Sequence, residues 1–429
     1  MSESTTVKVN KVGMYIVLFL AYAMVNFHRY ATSMTASILA TDLALNAGQV
    51  ALYIGVYTWC NAIMQLPAGL ITDRISARKL LSIIYLLAGG GLLLMAYTKS
   101  FPLILVGRGV LTAAVACVFN ICSRHIASWE SADGYKRVNS MFMTAGKIGG
   151  LVATTPLVLM IGAVGWDNTF GIIAAASILV AVGAWIFVRD KKETLQKKSI
   201  SPVASMKQLS KNRGFWIYCL AGALVGMTVP MVFSAWGGTF LVQGLGVDQI
   251  TSSNILMVGN IASCIGGVTI ALVCKKIRAK PLVVISYAVI TACVALLALF
   301  TTQMSVPVYA VIFIIMGFMF YTSTTSVYAL MREMCGVKFI GGFMGASNFV
   351  SWLIGNALVS TLWGLFIPAD FNISGFRNAL FFQLIISAVG LVGFILLKPG
   401  MLKGCSDEDV VALEEAAEAK RTAKAGRAE

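Results

Sequence analysis

The sequence predicts an all-α polytopic membrane protein: twelve transmembrane helices in two pseudo-symmetric six-helix bundles. Three observations carry that prediction. Hydrophobic residues make up 58% of the chain and charged residues only 12%, with a mean hydropathy of +0.83; a soluble domain needs far more charge to cover its surface. A spanning helix needs about 20 predominantly apolar residues, and about twelve runs of that length can be counted. The pattern also repeats. Sliding the second half back by roughly 200 positions sets "DLALNAGQV" after the first run against "LVQGLGVDQI" after the seventh, and "DRISARKLL" after the second against "KKIRAKPLV" after the eighth. A duplicated six-helix unit is a transporter signature, with the substrate site near mid-membrane at the interface of the repeats.

The runs fall at 13–38, 49–72, 79–98, 101–123, 139–163, 168–189, 214–243, 251–274, 281–301, 306–330, 341–366 and 375–397. They are continuous and lack the ten-residue alternation of an outer-membrane barrel. The opening "MSESTTVKVNKVG" does not read as a cleavable signal, because the apolar run after it is too long and continues into the fold. Residues 1–189 form the first bundle and 214–397 the second. The linker 190–213 is polar and basic, with "SPVASMKQLSKN" reading as a short amphipathic surface helix, and 398–429 is a solvated, partly helical tail. Lys and Arg cluster in alternate connections, with Lys99 and Arg377 as exceptions. This positive-inside pattern places both termini in the cytoplasm, and the short loops and compact chain point to a plasma (bacterial inner) membrane. The pattern also assigns the net charge of +15 to topology rather than to nucleic acid. The nine cysteines are scattered, with no CxxC or Cys/His spacing that suggests a metal or a disulfide framework. No nucleotide loop or nucleophile constellation is present, so neither an enzyme nor a cofactor is expected.

The chemistry lies in the ionisable residues inside the runs, since such a residue faces a bundle interior or a water-filled cavity and marks a pathway. "VNFHRYATSM" (25–34) places His28 and Arg29 in the first run. Tyr22, Asn26, Arg29 and Ser33 recur at helical spacing and form one polar stripe, from which His28 points about 100° away. Arg29 lies about ten residues from the outer end, about 15 Å deep and close to the midplane. Arg108 has two readings: fixing the first helix through hydrogen bonds, or touching substrate. Lys147 either contacts ligand or snorkels toward the helix end. Of the eighteen acidic residues, none lies clearly in mid-span. Three embedded cations without an embedded carboxylate attract an anion and repel a cationic drug or Na⁺. His28 is then the obvious titrating group. In the second half, "FYTSTTSVY" (320–328) offers hydroxyls; some back-bond to their own helix and the rest are available to a ligand. Trp236, Tyr321 and Asn348 are the candidate contacts there.

The stretch "GLITDRISARK" (69–79), with Gly69, Asp73, Arg74, Arg78 and Lys79, resembles the G-x-x-x-D-R-x-x-x-[RK]-[RK] loop of the major facilitator superfamily. "QLPAGLITDR", "LVGRGVLTAA" around Arg108, "GGLVATTPLVLMIGAVGW" and "SVYALMREMCGVKFIGGFMGASNFVSWLIGNAL" match the general pattern. The resemblance implies that the 69–79 loop latches the halves in the outward-facing state. The second copy has Lys275 near the position of the Asp, which implies a one-sided latch. "AYAMVNFHR" is similar to the first helix of the branch handling organic and inorganic anions, including organophosphate exchangers, which implies that Arg29 grips the substrate. Those exchangers pair it with an Arg in helix seven, which "GMTVPMVFSAW" lacks; this counts against a phosphate ester. "TAGKIGGLVATTP" lacks the residue order of the drug/proton antiporters.

The expectation is therefore a secondary transporter, working as a monomer in the bilayer, that moves a small organic anion by alternating access. It would exchange the anion for a counter-anion or carry it with a proton. The alternatives are drug efflux through an aromatic-lined cavity and a transport-inactive substrate sensor.

Overall fold

The computed structural model describes residues 10–190, 208–273, 278–335, 340–398 and 402; within these, the side chains of 66–74, 132, 133, 136, 268, 271–273, 340 and 341 lie outside the description. The expected helix in 201–212 therefore falls mostly outside it, as do Lys275, most of the linker and nearly all of the tail.

Twelve helical spans follow one another among the described residues, each within a few residues of an apolar run. They are α1 (Lys11–Asp42), α2 (Ala47–Arg74), α3 (Ala77–Tyr97), α4 (Phe101–Val115 continued by Val118–Trp129), α5 (Ala132–Val152 and Thr155–Val164) and α6 (Trp166–Phe187). The second set is α7 (Arg213–Gly226 continued to Gly244), α8 (Gln249–Val273), α9 (Ala279–Leu299), α10 (Val306–Met334), α11 (Ile340–Val350 continued to Phe366) and α12 (Ile373–Leu396). Among the described residues, nine meet the length and composition needed to cross a membrane, and ten with the bent α5 counted as one span. The remaining two, α2 and α8, have 28 and 25 residues, long enough at 1.5 Å per residue to span about 30 Å of hydrocarbon. Large apolar side chains such as Leu86, Leu179, Ile285 and Leu396 stand at least half exposed on the outside of the bundle. That belt suits lipid and not water. The chain is an integral membrane protein.

Local chemistry accounts for the interruptions. Pro156 has no N–H to give to the α5 ladder, and α5 bends by 45° at the break before it. Two π-helical turns, Met231–Ala235 and Phe240–Gly244, follow Pro230 in α7, and another, Ser351–Leu358, lies in α11. At its start α3 is capped twice. Ser76 Oγ accepts from Lys79 N, and Asp190, just beyond α6, accepts from Ala77 N at 2.8 Å.

Packing repeats with the chain. In the first half α1 packs on α5 and α6, α3 on α4 and α6, and α2 on α4; in the second, α7 packs on α11 and α12, α9 on α10 and α12, and α8 on α10. One contact shows the repeat at atomic scale. A Cβ on Gly149 of α5 would lie 2.0 Å from the Ala23 carbonyl oxygen of α1; a Cβ on Gly355 of α11 would lie 2.1 Å from the Ala223 carbonyl oxygen of α7. Backbone touches backbone there, as small residues allow between membrane helices.

Between the halves, α1 meets α7, α2 meets α11 and α5 meets α8. Hydrogen bonds across that boundary gather toward the end carrying Asp42. Ser33 Oγ accepts from Gly238 N, Gln243 Nε2 donates to Thr41 Oγ1 at 3.0 Å, and Thr155 Oγ1 donates to Asn254 Oδ1 at 2.6 Å. A Cβ on Gly238 would lie 2.7 Å from the Ser33 carbonyl oxygen, so only glycine lets α1 and α7 close here.

Gly149→Leu is expected to lower stability by at least the ~1–3 kcal/mol of an overpacked core, read as a lower unfolding temperature in detergent. Gly162→Leu, at a glycine with nothing within 4 Å of its would-be Cβ, leaves the unfolding temperature unchanged.

Candidate functional site

Arg29 sits in the middle of α1, thirteen residues before its end at Asp42. At 1.5 Å per residue that is about 20 Å from the end, deeper than the 15 Å read from sequence, because α1 extends past the apolar run. Its guanidinium lies 5.2 Å from the ring centroid of Trp352, in the π-helical turn of α11, and 6.0 Å from that of Tyr30. Lys147 on α5 is half-buried, and its Nζ lies 3.6 Å over the ring of Tyr321 on α10. It does not run down toward the helix end. Each of these two cations thus faces an aromatic ring of the second half.

No carboxylate meets them. Among the described residues the ion pairs are Lys11–Glu130 and the wide His125–Asp190 contact, both involving the connections that join helix ends. The described acidic side chains Asp42, Glu130, Asp167, Asp190, Asp248, Glu333 and Asp370 all stand at helix ends or in connections. The central space therefore carries uncompensated positive charge, at a depth where water screens little.

Tyr22 and Asn348 join this space. The Tyr22 ring stacks on Phe142 at 4.3 Å and lies within electrostatic reach of Arg29, Lys147 and Tyr321. Asn348 Oδ1 accepts from Tyr328 Oη at 3.5 Å, and Tyr328 is within reach of Arg29. Asn26 is turned inward, its Nδ2 donating to the Tyr22 carbonyl at 3.1 Å.

His28 and Arg108 lie elsewhere, together inside the first bundle, each only 3% exposed. They line a small cavity, with room for about one water, among Phe27, Tyr53, Met95, Leu157 and Phe170. Arg108 donates to Thr32 Oγ1 of α1 and lies 4.7 Å and 5.0 Å from the ring centroids of Tyr53 and Tyr57. Of the two sequence readings of Arg108, this geometry matches the one that ties down α1. Trp236 is fully buried in the second bundle, beside Trp363 at 6.3 Å, with its Nε1 donating to Ser360 Oγ at 3.3 Å.

The hydroxyl run of α10 differs from expectation. Thr322, Ser323, Thr324, Thr325 and Ser326 all donate to carbonyls three or four residues back. Each hydroxyl finds an acceptor on its own helix, as Ser and Thr commonly do there. Recognition on α10 then falls to Tyr321 and Tyr328. Sequence reasoning passed over Tyr30 and Tyr328 and counted Trp352 only among the groups that helix eleven offers for recognition, not as the partner of Arg29; an aromatic that caps a cation from another helix leaves no local pattern. Of the 69–79 loop, the side chains of Gly69, Asp73 and Arg74 lie outside the described residues. Arg78 Nε donates to the Trp185 carbonyl at 2.6 Å with its guanidinium 4.3 Å from the Trp185 ring centroid, joining the start of α3 to the end of α6. Lys79 contributes its backbone N–H to Ser76.

Comparison with known proteins agrees with this architecture. The family model of the Major Facilitator Superfamily matches residues 18–360. The chain belongs to that superfamily. Its members are transporters, not enzymes. The probable L-galactonate transporter of Escherichia coli K12 is 22% identical over 428 residues, covering 92% of this chain and 91% of that protein. The hexuronate transporter of Bacillus subtilis is 24% identical over 375 residues, covering 81% and 87%. The chain spans about half to two thirds of the length of several other curated relatives that it matches. Among solved structures, a bacterial homologue of the human lysosomal transporter Spinster, inward-facing and unoccupied, superposes with a TM-score of 0.75 at 14% identity, covering 91% of this chain and 97% of that one. The likeness is one of fold.

Thr32→Val, which keeps shape but removes the hydroxyl that accepts from buried Arg108, is expected to cost about 1–3 kcal/mol of stability. Arg29→Gln, which removes a cation without a carboxylate partner, leaves the unfolding temperature unchanged or raised. Thermal unfolding of the two variants side by side checks the difference.

Proposed function

We propose that this protein is a secondary transporter that carries a small organic anion, with the two halves, 1–189 and 214–397, rocking about the site at Arg29. The observation that carries this reading is the Arg29 guanidinium, held at mid-helix against Trp352 of the opposite half with no carboxylate beside it among the described residues. A cation over an aromatic face gains about 0.5–2 kcal/mol. Each hydrogen bond to a charged group is worth about 1.5–3 kcal/mol, and a carboxylate takes two from a guanidinium in parallel. An entering carboxylate therefore outcompetes Trp352 for Arg29. The exchange frees one half from the other, so binding changes the balance between two arrangements of the halves.

The relatives named for L-galactonate and hexuronate support a sugar acid or similar carboxylate as the substrate class. Positive-inside topology puts the Asp42 end outside and both termini in the cytoplasm, so the arrangement described is closed on the outside. Arg78 and Asp190 fasten the starts of α3 and the end of α6 to each other, giving the 69–79 latch a firm base in the first half.

Counterflow in proteoliposomes loaded with sugar acids tests the reading. Labelled anion is expected to accumulate against unlabelled anion, with Arg29→Gln reducing the rate by about 100-fold, the scale of a lost bidentate contact, and Arg29→Lys retaining part of it. Accumulation of cationic drugs, or anion uptake unaffected by Arg29→Gln, contradicts the proposal.

A further inference from the structure

A single anionic group on Arg29 leaves Lys147 unused, although the two cations address the same space. The Tyr22 hydroxyl lies within electrostatic reach of both, and Tyr30 lies beneath the Arg29 guanidinium and within reach of Lys147. The approach of α5 to α1 fixes their spacing. Gly146 lies against Tyr22 and Asn26, and Gly150 against Tyr30, so the two helices run parallel. With the Gly149 contact on Ala23 these set Lys147 about two to eight residues below Arg29 along α1, about 3–12 Å on the axis. Both side chains are long enough to converge on one small molecule or to hold its two ends.

Their surroundings are alike. Each is half-buried, each is without a carboxylate partner among the described residues, and each is capped by an aromatic of the second half: Trp352 on α11 for Arg29 and Tyr321 on α10 for Lys147. A monoanion relieves one of the two charges and frees one cap. A molecule with two anionic groups relieves both and frees both.

We infer that the site takes a dianion, such as a dicarboxylate of about four to six carbons, with one anionic group on Arg29 and the other on Lys147, each displacing the aromatic that caps its cation. This rests on the anion-transport reading above and narrows its substrate class. Lys147 is the residue that sets mono- against dianion selectivity, and α10 and α11 sense the two ends of the substrate separately.

Isothermal titration of the purified full chain with two matched pairs, glucarate against gluconate and succinate against butyrate, tests this. The wild type is expected to bind the diacid of at least one pair at least about ten-fold more tightly than its monoacid. Lys147→Gln erases that ratio by weakening the diacid at least about five-fold more than the monoacid, whereas Lys147→Arg, which keeps the charge, keeps the diacid the tighter ligand. Arg29→Gln weakens both acids. Equal binding of diacid and monoacid by the wild type, which needs no variant, overturns the inference alone. So does a Lys147→Gln variant that weakens both equally, since Lys147 would then act on the site as a whole. If no acid of either kind binds the wild type, the anion-transport reading fails, and the inference fails with it.

Discussion

The structure turns on a positive charge that the bilayer cannot solvate. Arg29 stands about 20 Å from the end of α1, where lipid offers no hydrogen bond and no described carboxylate compensates. Such a charge persists where it faces a bundle interior or cavity that offers it a partner. Here that is an aromatic face, Trp352, contributed by the other half. The contact is weak enough to exchange and specific enough to hold two bundles in register around the space that a substrate would enter. Lys147 and Tyr321 repeat the arrangement one helix over. A buried salt bridge in the same place would cost several kcal/mol to break and would hold the halves together, whereas a cation on a ring gives way to a carboxylate.

The remaining fold keeps this site both close and divisible. Backbone contact at Gly149 and Ala23 presses α5 against α1 and so sets Lys147 beside the Arg29 stripe. The matching contact at Gly355 and Ala223 holds α11 to α7 and presents Trp352 from the opposite side. Within each half such contacts make a rigid body. Between the halves, polar contacts such as Gly238 with Ser33 and Gln243 with Thr41 close one end. They are single hydrogen bonds, each worth about 0.5–1.5 kcal/mol, and can be traded for others as the halves move. Buried Arg108 belongs to the rigid part: it donates to Thr32 and lies against the rings of Tyr53 and Tyr57, with His28 beside it on a small cavity inside the first bundle.

Much of this was legible in the sequence, for a physical reason. Lipid imposes a 20-residue apolar length on every span, so composition alone locates the helices and misses only their polar ends, as where α4 runs on to Trp129 and α10 to Met334. Duplication showed as a shift of roughly 200 positions, and the Ala23/Ala223 pair occupies that shift. Arg29 and Lys147 were visible because a charge in an apolar run is conspicuous. Which aromatic each would meet was not. Trp352 and Tyr321 lie about 170 to 320 residues away in the chain, and an aromatic in a membrane helix looks the same whether it faces lipid, a neighbour or a cation. The hydroxyl run of α10 misled for the opposite reason: a dense local cluster of donors satisfies itself on its own backbone, and only coordinates show which carbonyls take the protons. Asp190 was likewise hidden, since a carboxylate beyond α6 reaches the start of α3 only after the bundle has formed.

The central claim is that an anion replaces Trp352 as the partner of Arg29. A cryo-electron microscopy structure of the full chain with a saturating sugar acid tests it most directly. The account predicts the carboxylate in two parallel hydrogen bonds to the Arg29 guanidinium, with the guanidinium moved off the Trp352 ring. An acid bound elsewhere, with Arg29 still seated over Trp352, would contradict it.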